Sequence, residues 1–253
     1  MKLKYETIIV IPFFNEENRI AFDKYKSFIQ NHPNVALVLV NDGSRDNTLL
    51  SLQKIELYNN KNVKIISYTQ NQGKANAVKL GFNYAEKHFY YTSIAYLDAD
   101  LSTSLQECFQ ISKQLNQNVI FAFGSRILKL DSTINRKSYR FLIGRIIATM
   151  ISRQLKLNVY DTQCGCKVFS KDLASEIFKE KFISKWLFDV EIFHRLIALY
   201  GLNQVKYIGK EIPLNSWVDV DDSKVHFSYF FKLWFDLYSI GKAYKIIRQP
   251  KIN

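Results

Sequence analysis

The stretch IAYLDADLST, residues 94–103, passes from four apolar residues directly into two aspartates, Asp98 and Asp100, with one residue between them. An unbroken apolar run is typical of a strand that is buried on both faces of a parallel sheet. In open α/β sheets, ligands bind beyond the carboxyl ends of the strands. A buried strand that ends on two like charges at that edge therefore predicts a ligand site as well as a fold.

The same pattern of a strand followed by a helix extends over the first half of the chain. Apolar runs predict strands at 7–14, 35–41, 63–68, 93–98 and 119–125. Helical spacing of apolar residues predicts helices at 16–30, 46–58, 73–87 and 104–116. Asp46 and Ser104 are suitable N-cap residues for two of them. The alternation predicts an α/β fold with a mostly parallel, doubly wound sheet that is flanked by helices.

The composition is that of a globular enzyme with an excess of positive charge. The chain has 253 residues, and 35 lysines and arginines against 23 acidic residues give a net charge of +12. This charge favours an anionic partner, such as nucleic acid, an anionic membrane or a phosphorylated substrate. The three cysteines, Cys108, Cys164 and Cys166, form no disulfide framework, which indicates a reducing compartment.

The sequence gives no sign of a segment that crosses a membrane. No window approaches the roughly 20 apolar residues that a spanning helix requires. We interpret the apolar N-terminal stretch as a first strand rather than a signal peptide, because Glu6 interrupts it and no small-residue cleavage site follows. We therefore expect a cytoplasmic protein that is attached peripherally to the inner face of the membrane.

Polar residues also follow the other predicted strands. Asn15 and Glu16 follow the first strand, Asp42 and Gly43 end the second, and Lys74 begins the helix after the third. Each has an ordinary alternative role: an acid near a helix N-terminus, an Asp-Gly turn, or a solvated helix lysine. At this edge of the sheet they are also candidates for binding a ribose, a base and a phosphate, respectively.

Asp98 and Asp100 are candidate metal ligands. Residues i and i+2 of an extended segment point the same way, so the two carboxylates can face one hard cation, Mg²⁺ or Mn²⁺. Phosphate oxygens would complete the coordination shell. The alternatives are a pair of solvated loop aspartates or a helix cap at Asp100. The position at the end of a buried strand favours the metal.

Four motifs in a fixed order resemble those of family 2 glycosyltransferases, whose fold is called GT-A: VIPFFNEE, VNDGSRDNT, NQGKANAVKLGF and YLDADLS. The resemblance covers residues 6–125, which we predict to be the nucleotide-sugar-binding half. It implies a UDP-sugar donor and a divalent cation on Asp98 and Asp100. The residues implied to hold the donor are Pro12, Asn15, Glu16, Asp42, Gly43, Lys74 and Asp98.

Motifs in the second half are similar to the dolichyl-phosphate β-glucosyltransferase branch, which is close to the polyprenyl-phosphate mannosyltransferases. These motifs are FGSRI, DTQCGCKVFS, KWLFDVEIFHRL and EIPLNSWVDVDDSKV. We predict one catalytic domain at 1–215, whose acceptor half is 126–215, and a C-terminal aromatic and basic helical extension at 216–253. The residues expected on the acceptor side are Arg126, Arg136, Arg140, Asp161 and Gln163. The chain departs from the family pattern at Cys166 and Ser102, and we expect no N-terminal membrane anchor of the kind that is usual in the eukaryotic members.

Residues 126–156 combine eight basic side chains with a single acidic one, Asp131. As a helix from about residue 138, this segment has an apolar and a cationic face, which suits a membrane interface. A helix that packs on the core with a solvated basic face is the alternative. The aromatic stretch 226–251 fits a bilayer contact, a dimer contact or a cover over the core. We expect a polyprenyl phosphate and an anionic membrane surface as partners, possible homo-oligomers, and no nucleic acid.

These motifs together predict a metal-dependent, inverting transferase that moves a hexose, most simply glucose, from a UDP-sugar to a polyprenyl phosphate. A phosphate monoester is already mostly ionised near neutral pH, its second pKa being about 6, so it needs no strong general base. Asp100 and Arg126 would then act catalytically by electrostatic stabilisation and positioning.

The alternative acceptor is a hydroxyl of a cell-surface glycan, whose attack requires a base. Asp189 in FDVE is the candidate base, whereas Glu191 can pair with Arg195 one helical turn later. A non-catalytic sugar-nucleotide sensor is a further alternative. A nucleic-acid-binding module is another, although the acidic edge would repel a phosphate backbone.

Overall fold

The computed structural model describes residues 2–127, 130, 133–135, 138–218 and 229–247. Its strands are β1 (Leu3–Lys4), β2 (Thr7–Phe13), β3 (Val35–Asp42), β4 (Val63–Tyr68), β5 (Phe89–Tyr90), β6 (Ser93–Leu97), β7 (Phe121–Ser125), β8 (Thr133–Asn135), β9 (Cys166–Ser170), β10 (Gly209–Pro213) and β11 (Ser216–Val218). Its helices are α1 (Phe22–Asn31), α2 (Thr48–Tyr58), α3 (Lys74–His88), α4 (Leu105–Ser112), α5 (Ser138–Leu155), α6 (Lys171–Ile177), α7 (Phe188–Tyr200), α8 (Leu202–Ile208) and α9 (Tyr229–Ile247).

The centre of the molecule is a seven-stranded sheet with the order β10-β7-β9-β6-β2-β3-β4. Neighbouring strands are parallel throughout, except that β9 runs antiparallel to both β6 and β7. Two short parallel pairs, β1–β5 and β11–β8, lie outside this sheet. The mostly parallel, doubly wound sheet predicted from the alternation is confirmed.

Helices cover both faces of the sheet. One face packs against apolar side chains of α3, α5, α6, α7, α8 and α9, and the other against those of α1, α2 and α4. Both faces of β2 and β3 are therefore removed from water, which explains why their sequences are apolar at successive positions. In this three-layer arrangement, the connecting loops lie at the carboxyl edge of the parallel strands.

All five strands predicted from apolar runs are present, and their ends differ from the prediction by two residues at most. The prediction missed β9, whose second residue, Lys167, is a fully buried lysine that interrupts the apolar pattern. It also missed the edge strand β10, since GKEIP has little apolar character.

The first predicted helix begins later than expected, at Phe22 instead of residue 16. Asn15 has a left-handed φ of 53°, and the N–H of Glu16 donates to Thr48 Oγ1 at 2.7 Å, so this part of the chain turns towards the next loop. Ser104 is confirmed as an N-cap, because its hydroxyl accepts from the Glu107 N–H at 3.0 Å. Asp46 lies one residue before the N-cap of α2, and its carboxylate accepts from the Thr48 N–H.

The helices α5 and α9 both cover the core. Ile151 and Leu155 at the end of α5 are fully buried, as is Ile240 of α9. The helix expected from about residue 138 is therefore present, and its last turns pack inward. Among the described residues, none of the helices combines the length and the apolar composition that are needed to span a lipid bilayer.

Candidate active site

The polar residues expected at the carboxyl edge do lie there. Asn15 follows β2, Asp42 ends β3, Asp98 follows β6 and Arg126 follows β7. Because these four strands are parallel, their carboxyl ends meet at one edge of the sheet. Pro12 lies within β2, where it is partly buried. The edge predicted from the sequence therefore exists, and the side chains at it can be described in groups.

The first group joins Lys74 to the acidic pair. Lys74 Nζ lies 2.5 Å from Asp98 Oδ1, and it also lies 5.7 Å and 5.6 Å from the ring centroids of Tyr96 and Phe188. Burial opposes a charge on Lys74, but Asp98 and Asp189 outweigh it and raise the pKa of the ammonium. Burial raises the pKa of Asp98, and the neighbouring charge of Asp100 adds to this while Lys74 opposes it.

The turn after β6 fixes the second carboxylate. Asp100 Oδ1 accepts from the Ser102 N–H at 2.9 Å, and the Leu101 N–H donates to the Asp98 carbonyl at 3.2 Å. Leu101 has a φ of 50°, a conformation that is unfavourable for a residue with a side chain and that is often kept at functional sites. Asp98 and Asp100 are therefore held by a tight turn and not on a mobile loop.

The turn also depends on Gly165, a residue that the sequence reasoning did not single out. The Asp98 N–H donates to the Gly165 carbonyl at 2.9 Å. A β-carbon built on Gly165 would overlap the carboxylate of Asp98. The glycine within the distinctive run DTQCGC was the available signal, because glycine is required where another group approaches the backbone this closely.

Asp189 lies beneath this group and is buried. Its Oδ1 accepts from Lys167 Nζ at 2.5 Å and also from the Tyr96 hydroxyl. Lys167 is fully buried and donates to the Cys164 carbonyl as well, at 2.9 Å. The side chain of Asp189 is only 5% exposed, compared with 36% for Asp98. This arrangement favours a positioning role over proton abstraction, and the catalytic role of Asp189 stays a prediction.

Asp42 and Gly43 fasten the loop that precedes Lys74. The carboxylate of Asp42 accepts from the N–H groups of Gln72 and Gly73, at 2.9 Å and 2.8 Å. Gly43 has a φ of 71°, and a β-carbon on it would lie 2.5 Å from the backbone nitrogen of Asn71. The close approach expected at Gly43 is therefore made by the neighbouring loop. A contact of Asp42 with a nucleotide base stays a prediction.

Asn15 and Glu16 bind neighbouring segments in a similar way. Asn15 Oδ1 accepts from the Arg45 N–H at 2.8 Å. The carboxylate of Glu16 pairs with Arg19, with 2.7 Å between Oε2 and Nε. Tyr25 is fully buried nearby, and burial, together with the charges of Asp100 and Glu16, raises its pKa. Within the described residues, the Tyr25 hydroxyl has no hydrogen-bond partner.

On the acceptor side, Arg126 and Asp161 form a two-pronged ion pair, at 2.6 Å from Nε to Oδ2 and 2.7 Å from Nη2 to Oδ1. Arg126 and its hydrogen bonds outweigh the effect of burial and lower the pKa of Asp161 to about 2. Glu211 accepts from the Asp161 N–H at 2.8 Å, and the Gln163 N–H donates to Asp161. The structure therefore brings together Arg126, Asp161 and Gln163.

Three buried polar atoms at this side have no hydrogen-bond partner within the part of the chain that the structure describes. They are Ser125 Oγ, Thr162 Oγ1 and Gln163 Nε2. A buried polar group without a partner costs about 1–3 kcal/mol, so such atoms indicate a place for a polar ligand or water. Arg136 lies outside the described residues, and so does the side chain of Arg140.

A divalent cation fits the residues that are present. Asp98 and Asp100 offer the carboxylate oxygens that Mg²⁺ and Mn²⁺ prefer, and their mutual repulsion would be relieved by a cation. Within the described residues there is no group of three or more His, Cys, Asp or Glu side chains that could hold a metal.

The seven-stranded, mostly parallel sheet with helices on both faces has the arrangement of the GT-A fold. Residues 8–178 match the family model described as glycosyl transferase family 2, and the chain belongs to this family. It is similar to dolichyl-phosphate β-glucosyltransferase from Homo sapiens, with 28% identity over 235 residues that cover 86% of this chain and 68% of that protein. A dolichyl-phosphate β-glucosyltransferase from Trichomonas vaginalis is 27% identical over 252 residues, which cover 94% of this chain and 73% of the other.

A solved structure supports the fold. Glucosyl-3-phosphoglycerate synthase from Mycobacterium tuberculosis, crystallised with Mn²⁺, uridine diphosphate and glucosyl-3-phosphoglycerate, superposes with a TM-score of 0.69. The match covers 97% of this chain and 82% of the other, at 13% sequence identity. The GT-A fold expected from the motifs is thereby confirmed.

Proposed function

We propose that the protein transfers a hexose, with glucose as the expected sugar, from a UDP-sugar to a polyprenyl phosphate, with inversion at the anomeric carbon. The observation that carries the proposal is the acidic turn at the end of β6, with Asp98 and Asp100 beside the ammonium of Lys74. Mixed charges of this kind suit a metal-bound diphosphate. The names of the similar proteins from Homo sapiens and Trichomonas vaginalis support the acceptor and the sugar.

The donor would lie across the first three loops of the carboxyl edge. The nucleotide would contact the segments around Pro12, Asn15–Glu16 and Asp42–Gly43, and Lys74 would face the diphosphate. A divalent cation on Asp98 and Asp100 would neutralise the charge that develops on the departing diphosphate. Because the loops are fastened to one another by Asp42 and Asn15, the donor site is organised before the donor arrives.

The acceptor would lie on the side of Arg126. Asp161 fixes the plane of the Arg126 guanidinium. The three polar atoms without a partner among the described residues lie on residues within two positions of this ion pair in sequence. An ionised phosphate attacks without help from a base, so the buried state of Asp189 is compatible with this acceptor. A hydroxyl acceptor would require a base with access to the substrate. The carboxylate of Asp189 is instead buried and accepts hydrogen bonds from Lys167 and Tyr96.

Contact with a membrane is part of the proposal, because a polyprenyl chain resides in a bilayer. Three neighbouring aromatic side chains of α9 are exposed: Trp234 (52%), Phe235 (70%) and Tyr238 (67%). The loop before α7 joins this helix to the site, since Ser184 donates to Asp236 and the Lys185 carbonyl accepts from Ala75. Aromatic residues of this kind suit a membrane interface. Cytoplasmic location, attachment to the inner face and homo-oligomers stay predictions.

The test is to incubate the purified protein with Mg²⁺ or Mn²⁺, a short polyprenyl phosphate and one of several UDP-sugars at a time. Mass spectrometry of the lipid and release of UDP are measured together. We expect a hexosyl lipid phosphate, formed fastest from UDP-glucose, and none from the Asp98→Ala variant. Asp172→Ala, which removes an exposed aspartate from α6, is the matched control and should be fully active.

Two outcomes would change the proposal. UDP release that needs an added glycan and yields no hexosyl lipid would replace the lipid phosphate by a hydroxyl acceptor. Full transfer by the Asp98→Ala variant would remove the acidic turn from the mechanism.

A further inference from the structure

Lys74 forms an ion pair with the acidic turn. It is the first residue of α3, and its side chain reaches Asp98 Oδ1 at 2.5 Å. The rings of Tyr96 and Phe188 flank the ammonium, at 5.7 Å and 5.6 Å from their centroids. A carboxylate and two aromatic faces therefore hold one cation at the edge of the sheet.

The surrounding charges explain why the ammonium of Lys74 lies beside Asp98. Lys167 already neutralises Asp189 in the layer below. Asp98 and Asp100 remain, and Lys74 cancels one of their two negative charges. A divalent cation on the same two carboxylates would neutralise both negative charges. The ammonium and the metal would therefore compete for Asp98 Oδ1.

Hydrogen bonds hold the backbone on both sides of Lys74. The N–H groups of Gln72 and Gly73 are bonded to Asp42, and the Ala75 N–H donates to the Lys185 carbonyl at 3.3 Å. Lysine carries its charge on a flexible four-carbon stem. A diphosphate near the N-terminus of α3 would offer the ammonium a second anionic partner.

We infer that Lys74 is an internal counter-cation that couples the binding of the divalent cation to the binding of a nucleoside diphosphate. In the free protein it occupies Asp98, which weakens the binding of metal alone. A diphosphate draws the ammonium away, which opens Asp98 to the metal. The inference rests on the proposed metal site at Asp98 and Asp100. It adds that the diphosphate makes Asp98 available before the metal binds tightly there.

Reciprocity follows from this coupling. If UDP tightens the binding of metal by a given factor, metal must tighten the binding of UDP by the same factor. Coupling factors of this kind range from about 5-fold to 150-fold. Removal of the Lys74 charge should raise the affinity for metal alone, lower the affinity for UDP alone and reduce the coupling between them.

The experiment is calorimetric titration of the full chain with Mn²⁺, in the absence and in the presence of saturating UDP. Wild type should bind Mn²⁺ weakly alone and about tenfold more tightly with UDP. Lys74→Met should bind Mn²⁺ alone about tenfold more tightly than wild type and show little further effect of UDP. Lys87→Met removes an exposed charge from the last turn of the same helix and should behave as wild type.

Thermal unfolding supplies a second measurement on the same variants. Loss of the Lys74 charge should lower the melting temperature without metal, and Mn²⁺ should restore more of it in the variant than it adds to wild type. If Lys74→Met does not fold, Lys74→Gln removes the charge but keeps a hydrogen-bond donor for Asp98. The expected changes are in the same direction.

The contrary outcomes separate the inference from the proposed function. If wild type binds Mn²⁺ together with UDP, but neither Lys74 variant binds Mn²⁺ alone more tightly, the coupling role is refuted and the metal site survives. If neither wild type nor the variants bind Mn²⁺ even with UDP, the metal site itself is wrong, and the inference is lost with it.

Discussion

At the scale of single residues, Gly165 determines where the Asp98 carboxylate can lie. Replacement of Gly165 by alanine places a methyl group where that carboxylate now rests, so the side chain of Asp98 must rotate away. We expect Gly165→Ala to bind UDP in the presence of Mn²⁺ at least about tenfold more weakly, since a small misplacement of a binding group is costly. Calorimetry measures the affinity, and circular dichroism checks that the fold is kept. An unchanged affinity would show that Asp98 tolerates displacement.

Asp161 makes a contribution to stability that depends on pH. Its pKa is lowered to about 2 in the folded protein, from about 3.9 for an unperturbed aspartate, so the folded state favours its charged form. This stabilisation, about 2–3 kcal/mol, is complete above about pH 5 and is lost progressively as the pH falls through about 4 to 2 and below. Asp161→Asn should therefore cost more free energy of unfolding at pH 7 than at pH 3.

Urea denaturation of both proteins at these two pH values measures the difference. The variant also leaves the Arg126 guanidinium without its carboxylate. At pH 7 the total loss should therefore exceed the contribution from titration alone and reach about 3–5 kcal/mol, as for other broken buried pairs. Equal losses at pH 7 and pH 3 would contradict the pKa assigned to Asp161.

Asp189 offers a test that separates structure from catalysis. Asp189→Asn leaves the buried ammonium of Lys167 without its counter-charge, and the free energy of unfolding should fall by about 3–5 kcal/mol. The double variant Asp189→Asn with Lys167→Met removes both charges and should recover most of that loss. If Asp189 only positions its neighbours, the double variant keeps measurable transfer to a phosphate acceptor. A stable double variant without any transfer would show that Asp189 does more than position its neighbours.

At the scale of elements, α9 has two distinct faces. Leu237, Ile240 and Tyr244 pack inward, whereas Trp234 and Phe235 point into solvent. Of the three roles expected for this segment, a bilayer contact, a dimer contact and a cover over the core, α9 has the third. Its outer aromatic face is still available for a membrane.

The triple variant Trp234→Ser, Phe235→Ser and Tyr238→Ser tests that face. We expect it to lose most of its association with vesicles that contain anionic lipid, because each ring contributes about 1–3 kcal/mol when it is buried in an apolar environment. Its melting temperature should hardly change, since the three side chains are exposed. Tyr207→Ser, at an exposed position on α8, is the control. Sedimentation with vesicles gives the bound fraction, and equal binding by variant and wild type would contradict a membrane role for α9.

At the scale of the whole molecule, local sequence patterns predicted most strands of the central sheet and most of the described helices. They did not predict the contacts between segments that are distant in sequence. The strands with continuous apolar runs were found, and the spacing of Glu191 and Arg195 correctly predicted their ion pair, at 2.8 Å. The ion pair of Lys167 and Asp189 was not predicted, because the charge of Lys167 interrupts the apolar pattern of β9 and that strand was missed.

The site shows the same limit. The residues after each parallel strand were placed correctly at one edge, since that follows from topology alone. The contacts among these side chains were not predictable, because Lys74 and Asp98 meet only after α3 and β6 have both taken their places in the fold. The same holds for Gly165, whose importance depends on a neighbour that is distant in sequence.

The antiparallel strand β9 also determines the order in which a growing chain can complete its sheet. Residues up to 125 include β6 and β7, which do not pair with each other, because β9 lies between them. During synthesis, both strands keep bare hydrogen-bonding edges until residues 166–170 leave the ribosome, and bare edges are sites of aggregation. We therefore expect the sheet to close from its middle, late in translation, and the nascent chain to be more prone to aggregation over that interval than that of a strictly sequential fold.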